Sequence, residues 1–143
     1  MSVGAMSMID HLSLGVRDLA HSRAFYDAIL TPLGYRRGFD HADVAGYGLP
    51  QKHPLGEQAL PFWIGAEAEG PALNGHVCFS APDRAAVDAF YNAALAAGAR
   101  DNGAPGLRPQ YHASYYAAFV IDPNGHRLEA VCHQPEQSRE LSR

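Results

Sequence analysis

Apolar and polar residues alternate from Asp10 to Val16: Leu12, Leu14 and Val16 fall on one side, and His11, Ser13 and Gly15 on the other. That two-residue period predicts a half-buried strand. After Asp18 the period lengthens. Phe25, Ile29 and Leu33 recur every fourth residue, with Tyr26 and Leu30 widening the stripe, as on an amphipathic helix. Asp18 is a natural N-cap, and Pro32 with Gly34 stops the helix. The same succession then returns. Val77 and Phe79 oppose His76, Cys78 and Ser80; Asp83 caps; Val87, Phe90, Tyr91, Ala94 and Leu95 form the stripe; Gly98 ends it.

The return is a repeat. A shift of 65 positions lays His11–Leu30 on His76–Leu95, with eight of the twenty pairs identical, including His11/His76, Asp18/Asp83, Phe25/Phe90 and Tyr26/Tyr91. Unrelated segments match at roughly one position in twenty. Two units are too few for a solenoid and predict a pseudo-twofold domain instead. The rest of each unit reads as short strands, near Tyr35–Phe39, Val44–Gly48 and Leu60–Ala66, then near Arg100–Asn102, Ser114–Ile121 and His126–His133. Asp122-Pro123-Asn124-Gly125 predicts the turn of a hairpin, residues 103–109 a loop, and the polar residues 134–143 a frayed tail. The expected fold class is therefore α+β: two tandem βαβββ modules, at about 8–66 and 74–133, in a single domain spanning 1–143.

Composition narrows the function. With 143 residues, 47% hydrophobic and 18% charged, the chain has one domain's length and a real core, which excludes a disordered chain and a multi-domain assembly. A net charge of −4 speaks against nucleic acid, and no apolar run is long enough for a membrane. Cys78 and Cys132 read as small buried apolar residues rather than a disulfide framework. Residues 1–7 show no export signal, so the cytoplasm is the expected location. Eight histidines direct attention to metals and protons.

His11 and His76 occupy equivalent places in the two units, each leaving the face opposite the aliphatic one, so they can converge near the pseudo-axis. Glu129 lies on the last strand with Arg127 and Val131 on its side and Leu128, Ala130 and Cys132 opposite. Two imidazoles and a carboxylate make a facial set for a divalent metal such as Zn, Ni, Mn or Fe. The bland alternative is two packed histidines and a salt-bridged glutamate. In the second half, Arg108, Tyr111 and His112 lie on a loop, with Tyr115 and Tyr116 just beyond. His112 is the expected acid or base, Tyr115 or Tyr116 the donor to an anion, and Trp63, Arg108 and Tyr111 the expected substrate contacts. Phe62 is expected to line or support the site. His21, His41 and His53 read as solvated, and His126 and His133 are assigned no role.

The His11-Leu12-Ser13-Leu14 strand with its Asp18-Leu19 cap, the second strand Gly75-His76-Val77 and the run from Asp122 to Glu129 resemble the vicinal oxygen chelate superfamily. That group includes glyoxalase I, bleomycin-resistance proteins, fosfomycin-resistance enzymes and extradiol dioxygenases, and the resemblance covers roughly residues 8–133. It implies curved mixed sheets around a metal-binding cup, a homodimer, and a small-molecule substrate. The implied activity is a metal-dependent lyase or isomerase with a metal-stabilised enolate or oxyanion. An extradiol-type dioxygenase, or a bleomycin-resistance-like binding protein without turnover, is the alternative. One feature departs from glyoxalase I, which carries a fourth ligand, a carboxylate, on the last strand of its first module. The 65-residue shift sets Ile64 opposite Glu129, with acids only at flanking Glu57 and Glu67.

Overall fold

The computed structural model describes residues 11–50, 60–68 and 76–136. Asp10, His53, Glu57, Gly75 and most of the polar tail lie outside them. Strand β1 (Leu12–Val16) leads into helix α1 (Leu19–Leu30), a single 3₁₀ turn (Thr31–Leu33), and strands β2 (Arg36–Asp40), β3 (Val44–Gly48) and β4 (Phe62–Ala66). The second module repeats this with β5 (His76–Ser80), α2 (Arg84–Ala96), β6 (Arg100–Asp101), β7 (Gly106–Leu107), β8 (Tyr116–Ile121) and β9 (Arg127–Cys132). The fold is α+β, as expected, with two mixed sheets. Their strand orders are β1-β4-β3-β2 and β5-β9-β8-β6, with β7 also on β8. The first strand of each module pairs parallel with its last, and the remaining pairs are antiparallel. Strand β7 falls inside the segment expected to be loop.

Both predicted caps form. The Asp18 carboxylate accepts from the His21 backbone N–H at 3.1 Å, and that of Asp83 from Ala86 at 2.7 Å. Gly34 and Gly98 close the helical segments at φ of 93° and 101°, a backbone that disfavours side chains. Leu19, Phe25, Tyr26, Ile29 and Leu30 of α1, and Ala86, Val87, Phe90 and Ala94 of α2, bury the two stripes against the aliphatic strand faces. Leu95, expected in the second stripe, is exposed, because the shorter side chains of α2 draw a narrower one.

The modules are fastened by the predicted turn. Asp122 Oδ1 accepts from the backbone N–H groups of Asn124 and His126, both at 2.8 Å, while Gly125 supplies φ of 94°. Asp122 Oδ2 accepts from the buried Tyr26 hydroxyl of α1 at 2.5 Å. Asn124 accepts from the Arg17 backbone N–H and donates to Ser22. His126, buried, reaches the Gly15 carbonyl with Nε2 at 2.8 Å. Phe62 meets Phe79 edge-on at 5.0 Å, which places it in the core between the modules rather than on the open faces.

Candidate functional site

Alternation along the strands sorts each sheet into a core face and an open face. In the second sheet the open face carries His76, Cys78 and Ser80 from β5 and Arg127, Glu129 and Val131 from β9, because Cys78 pairs with Glu129. Ala117 and Phe119 of β8 share it, Phe119 lying opposite Glu129. Glu129 is 2% exposed, yet it is a carboxylate with both oxygens engaged. Its Oε1 stands 3.0 Å from His76 Nε2, and its Oε2 accepts from the Tyr115 hydroxyl. His76 is 55% exposed, so the pair opens to solvent through its imidazole. Burial first, then Glu129, raise the pKa of Tyr115, which stays a protonated donor. Cys78 is on this open face rather than buried, and desolvation of its sulfur together with the Glu129 charge pushes its thiol up to about 12. It is therefore not a thiolate at neutral pH.

Beyond Tyr115 the open face continues into aromatic rings. Tyr115 meets Tyr111 at 4.9 Å, His112 at 5.5 Å and His133 at 5.3 Å. Both ring nitrogens of His112 are engaged. Its Nδ1 accepts from the Ser114 backbone N–H at 3.1 Å, and its Nε2 lies 2.8 Å from His133 Nδ1. With Nδ1 accepting from Ser114, Nε2 is left as the His112 donor in its contact with His133 Nδ1. The two rings lie within 25° of one plane with centroids 5.1 Å apart, an edge-to-edge approach. His133, assigned no role from the sequence, is the outer member of the pair. Its signal was its parity with Glu129, four residues earlier on the same strand face.

The other expected residues are placed as follows. Tyr116 is on the core face, donating to Asp88 of α2 at 2.6 Å beneath the Arg84 guanidinium, and burial with Asp88 pushes its phenol up to about 12. Neighbours on a strand point to opposite faces, so Tyr115 and Tyr116 could not both join the site. Arg108 spends its guanidinium on the carbonyls of Ala104 and Gly106 and stacks over Phe119, clamping its loop. Tyr111 is 62% exposed at the edge of the ring cluster. His11 is exposed before β1, but among the described residues no three His, Cys, Asp or Glu side chains are gathered closely enough to hold a metal. His76 Nε2 and Glu129 Oε1, 3.0 Å apart, have the spacing of two neighbouring ligands: bonds of about 2.1 Å at right angles put donor atoms about 3 Å apart.

The register corrects the expected partner of Glu129. Leu12 pairs with Phe62, but Val77, its repeat mate, pairs with Leu128, one residue further than the 65-residue shift implies. Ser13 consequently faces Trp63 where Cys78 faces Glu129, and Trp63, not Ile64, is the counterpart of the acid. Ile64 is buried in the core. Glu67 is exposed and lies over Gly15, beyond the end of β4.

A cavity of about 540 Å³ opens between the modules, lined by apolar side chains of β1, β3 and β4 and by β5. It meets the polar cluster only at His76 and Cys78.

Paired modules of this topology, each with a mixed sheet and a helix, define a class of duplicated α+β folds. The chain belongs to the Glyoxalase/Bleomycin resistance protein/Dioxygenase superfamily, whose family model matches residues 8–130. Among solved structures it is similar to a glyoxalase/bleomycin resistance protein from Albidiferax ferrireducens T118, with 32% identity over 87% of this chain and 98% of that one and a TM-score of 0.72. A glyoxalase/bleomycin resistance protein/dioxygenase family enzyme from Burkholderia phytofirmans PsJN shares the fold at 19% identity, over 87% and 98% of the two chains, with a TM-score of 0.64. So does a mutant of the fosfomycin resistance protein FosX from Listeria monocytogenes, complexed with Mn(II) and 1S,2S-dihydroxypropylphosphonic acid, at 17% identity, over 88% and 90%, with a TM-score of 0.62. No curated protein sequence matches.

Proposed function

We propose that this chain is a metal-dependent enzyme of lyase or isomerase type acting on a small oxygenated substrate. The observation that carries the reading is the buried Glu129 carboxylate, shared between the His76 imidazole and the Tyr115 hydroxyl on an open sheet face. Burying an acid is costly, and core packing alone does not require one here. His76 Nε2 and Glu129 Oε1 would hold the ion, and His11 of a second copy would complete the set in a homodimer. When bound, a divalent ion supplies Lewis acidity toward substrate oxygens.

The chain's own residues do the rest. Tyr115 fixes the carboxylate through Oε2 and leaves Oε1 facing His76, the kind of outer hydrogen bond that orients a ligand. The run of hydrogen bonds from Ser114 through His112 ends at the His133 ring, which it holds in one orientation. A ring held in this way is placed to donate to negative charge developing on a substrate oxygen. The acid–base role expected of His112 thus becomes an orienting role, and the group that meets the substrate is His133.

The test is metal content after exhaustive dialysis against each of Zn, Ni, Mn and Fe. Wild-type protein should retain close to one ion per chain, His76→Ala essentially none, and Tyr115→Phe should bind about 10- to 100-fold more weakly with the same fold. Wild-type protein that retains none of the four ions would sink the reading and favour ligand sequestration without turnover.

A further inference from the structure

The open face of the first sheet carries few large side chains. From β1 and β4 it carries Ser13, Gly15, Trp63 and Gly65; from β3, Val44, Gly46 and Gly48; and from β2, Arg36 and Phe39. Four glycines on one sheet face are hard to explain by stability, since each weakens a strand. Two of them are approached by the chain's own side chains: Glu67 lies over Gly15 and Trp63 over Gly46. Trp63 shows how the space is used. A methyl group on Gly46 would lie 2.9, 2.9 and 3.0 Å from Cη2, Cζ3 and Cε3 of the indole. Three consecutive ring atoms at one distance mean that the ring lies flat on the strand, not edge-on. Its Nε1 is tied to the Leu60 carbonyl at 2.6 Å, and Phe39, 45% exposed, flanks it at 5.5 Å. The indole is thus pinned in position, half-buried, with its inner face on Gly46.

We infer that Trp63 and Phe39 form a stacking platform for a ligand with a flat, conjugated or aromatic body. The register places this platform at the position pseudo-equivalent to Glu129, so the two modules have divided the work: the second holds oxygens and charge, the first holds a flat apolar body. Offset stacking on a preformed ring favours a planar ligand over an aliphatic one of equal polarity, because no side chain needs ordering and the contact area is large. The inference rests on the metal reading only for the oxygen-bearing end of the ligand.

Trp63 is the sole tryptophan, so its fluorescence reports on the platform alone. The probes are tropolone, which is planar, and acetohydroxamate, which lacks a ring; both present two adjacent oxygens. Each is titrated into metal-free and metal-loaded full-length protein, by fluorescence and by calorimetry. Tropolone should quench Trp63 saturably and bind at least tenfold more tightly than acetohydroxamate. Trp63→Ala and Phe39→Ala should erase that preference by calorimetry, Trp63→Phe should keep most of it, and metal content should not change. Equal affinity for the two probes, or a preference that survives Trp63→Ala, overturns the proposal. So does a Trp63-dependent self-association in sedimentation with no saturable quenching, since the face would then belong to a second copy. A planar preference in a protein that holds no metal upholds the platform while the metal reading fails.

Discussion

Tyr26 shows how much a single hydroxyl can carry. It is fully buried on α1 and donates to Asp122 across the module boundary, and burial followed by the Asp122 charge raises its pKa well above the ordinary phenol value. Tyr47 is raised as well, chiefly by burial and then by Asp27. A folded-state pKa above the unfolded one means that the folded chain binds more protons at alkaline pH. The stabilisation is complete below pH about 10 and is lost as pH rises above it. Urea midpoints should therefore fall between about pH 9 and about pH 11, and Tyr26→Phe should flatten that fall while lowering the midpoint near pH 8. A Tyr26→Phe protein that keeps the wild-type alkaline slope would remove this hydroxyl from the account. Parity made Tyr115 and Tyr116 separable in principle, and pairing Glu129 with Cys78 required only the strand register. What the sequence could not expose was the hydrogen bond from Ser114 to His112, which depends on a loop conformation with no periodic signal.

Among the elements, the turn from Asp122 to His126 does the most to join the halves. Its sequence announces a hairpin, and the structure adds that it docks on α1 and on the end of β1. Asp122→Ala removes two turn hydrogen bonds and strands the Tyr26 hydroxyl, at a cost of about 3 kcal/mol. Gly125→Ala forces a side chain into positive φ and should cost roughly 1–2 kcal/mol. Chemical denaturation measures both, and a cycle of Asp122→Ala with Tyr26→Phe should show a coupling of about 1 kcal/mol. Additivity of the two changes would mean that the contact is incidental. The strands and helices were largely legible because two copies of one pattern reinforce each other. β7 was not, since two residues carry no periodicity, and its place is set by pairing with β8 and by the Arg108 clamp.

At the scale of the whole molecule, the duplication was readable from 20 aligned residues, and the superfamily assignment agrees with it. The convergence of His11 on His76 and Glu129 is a geometric expectation, and among the described residues no group of three metal-holding side chains is gathered. A site shared between copies would bring the three together, and mixing tests that. His11→Ala and Glu129→Gln proteins, each unable to bind metal, should regain up to one intact site per mixed dimer after co-refolding. Failure of the mixture to bind any ion, with mixed dimers demonstrated by mass spectrometry, would refute sharing. No helix among the described residues is long and apolar enough to cross a membrane.

The extra residue separating the last strands of the two modules lies outside their paired register, so Trp63 opposite Ser13 and Glu129 opposite Cys78 are equivalent places in the two sheets. A single substitution could therefore trade indole for carboxylate at either place without turning a strand over, whereas a one-residue slip of the strand itself would carry every side chain to the other face. Exchange of chemistry between the halves is open to point change, and slippage is not.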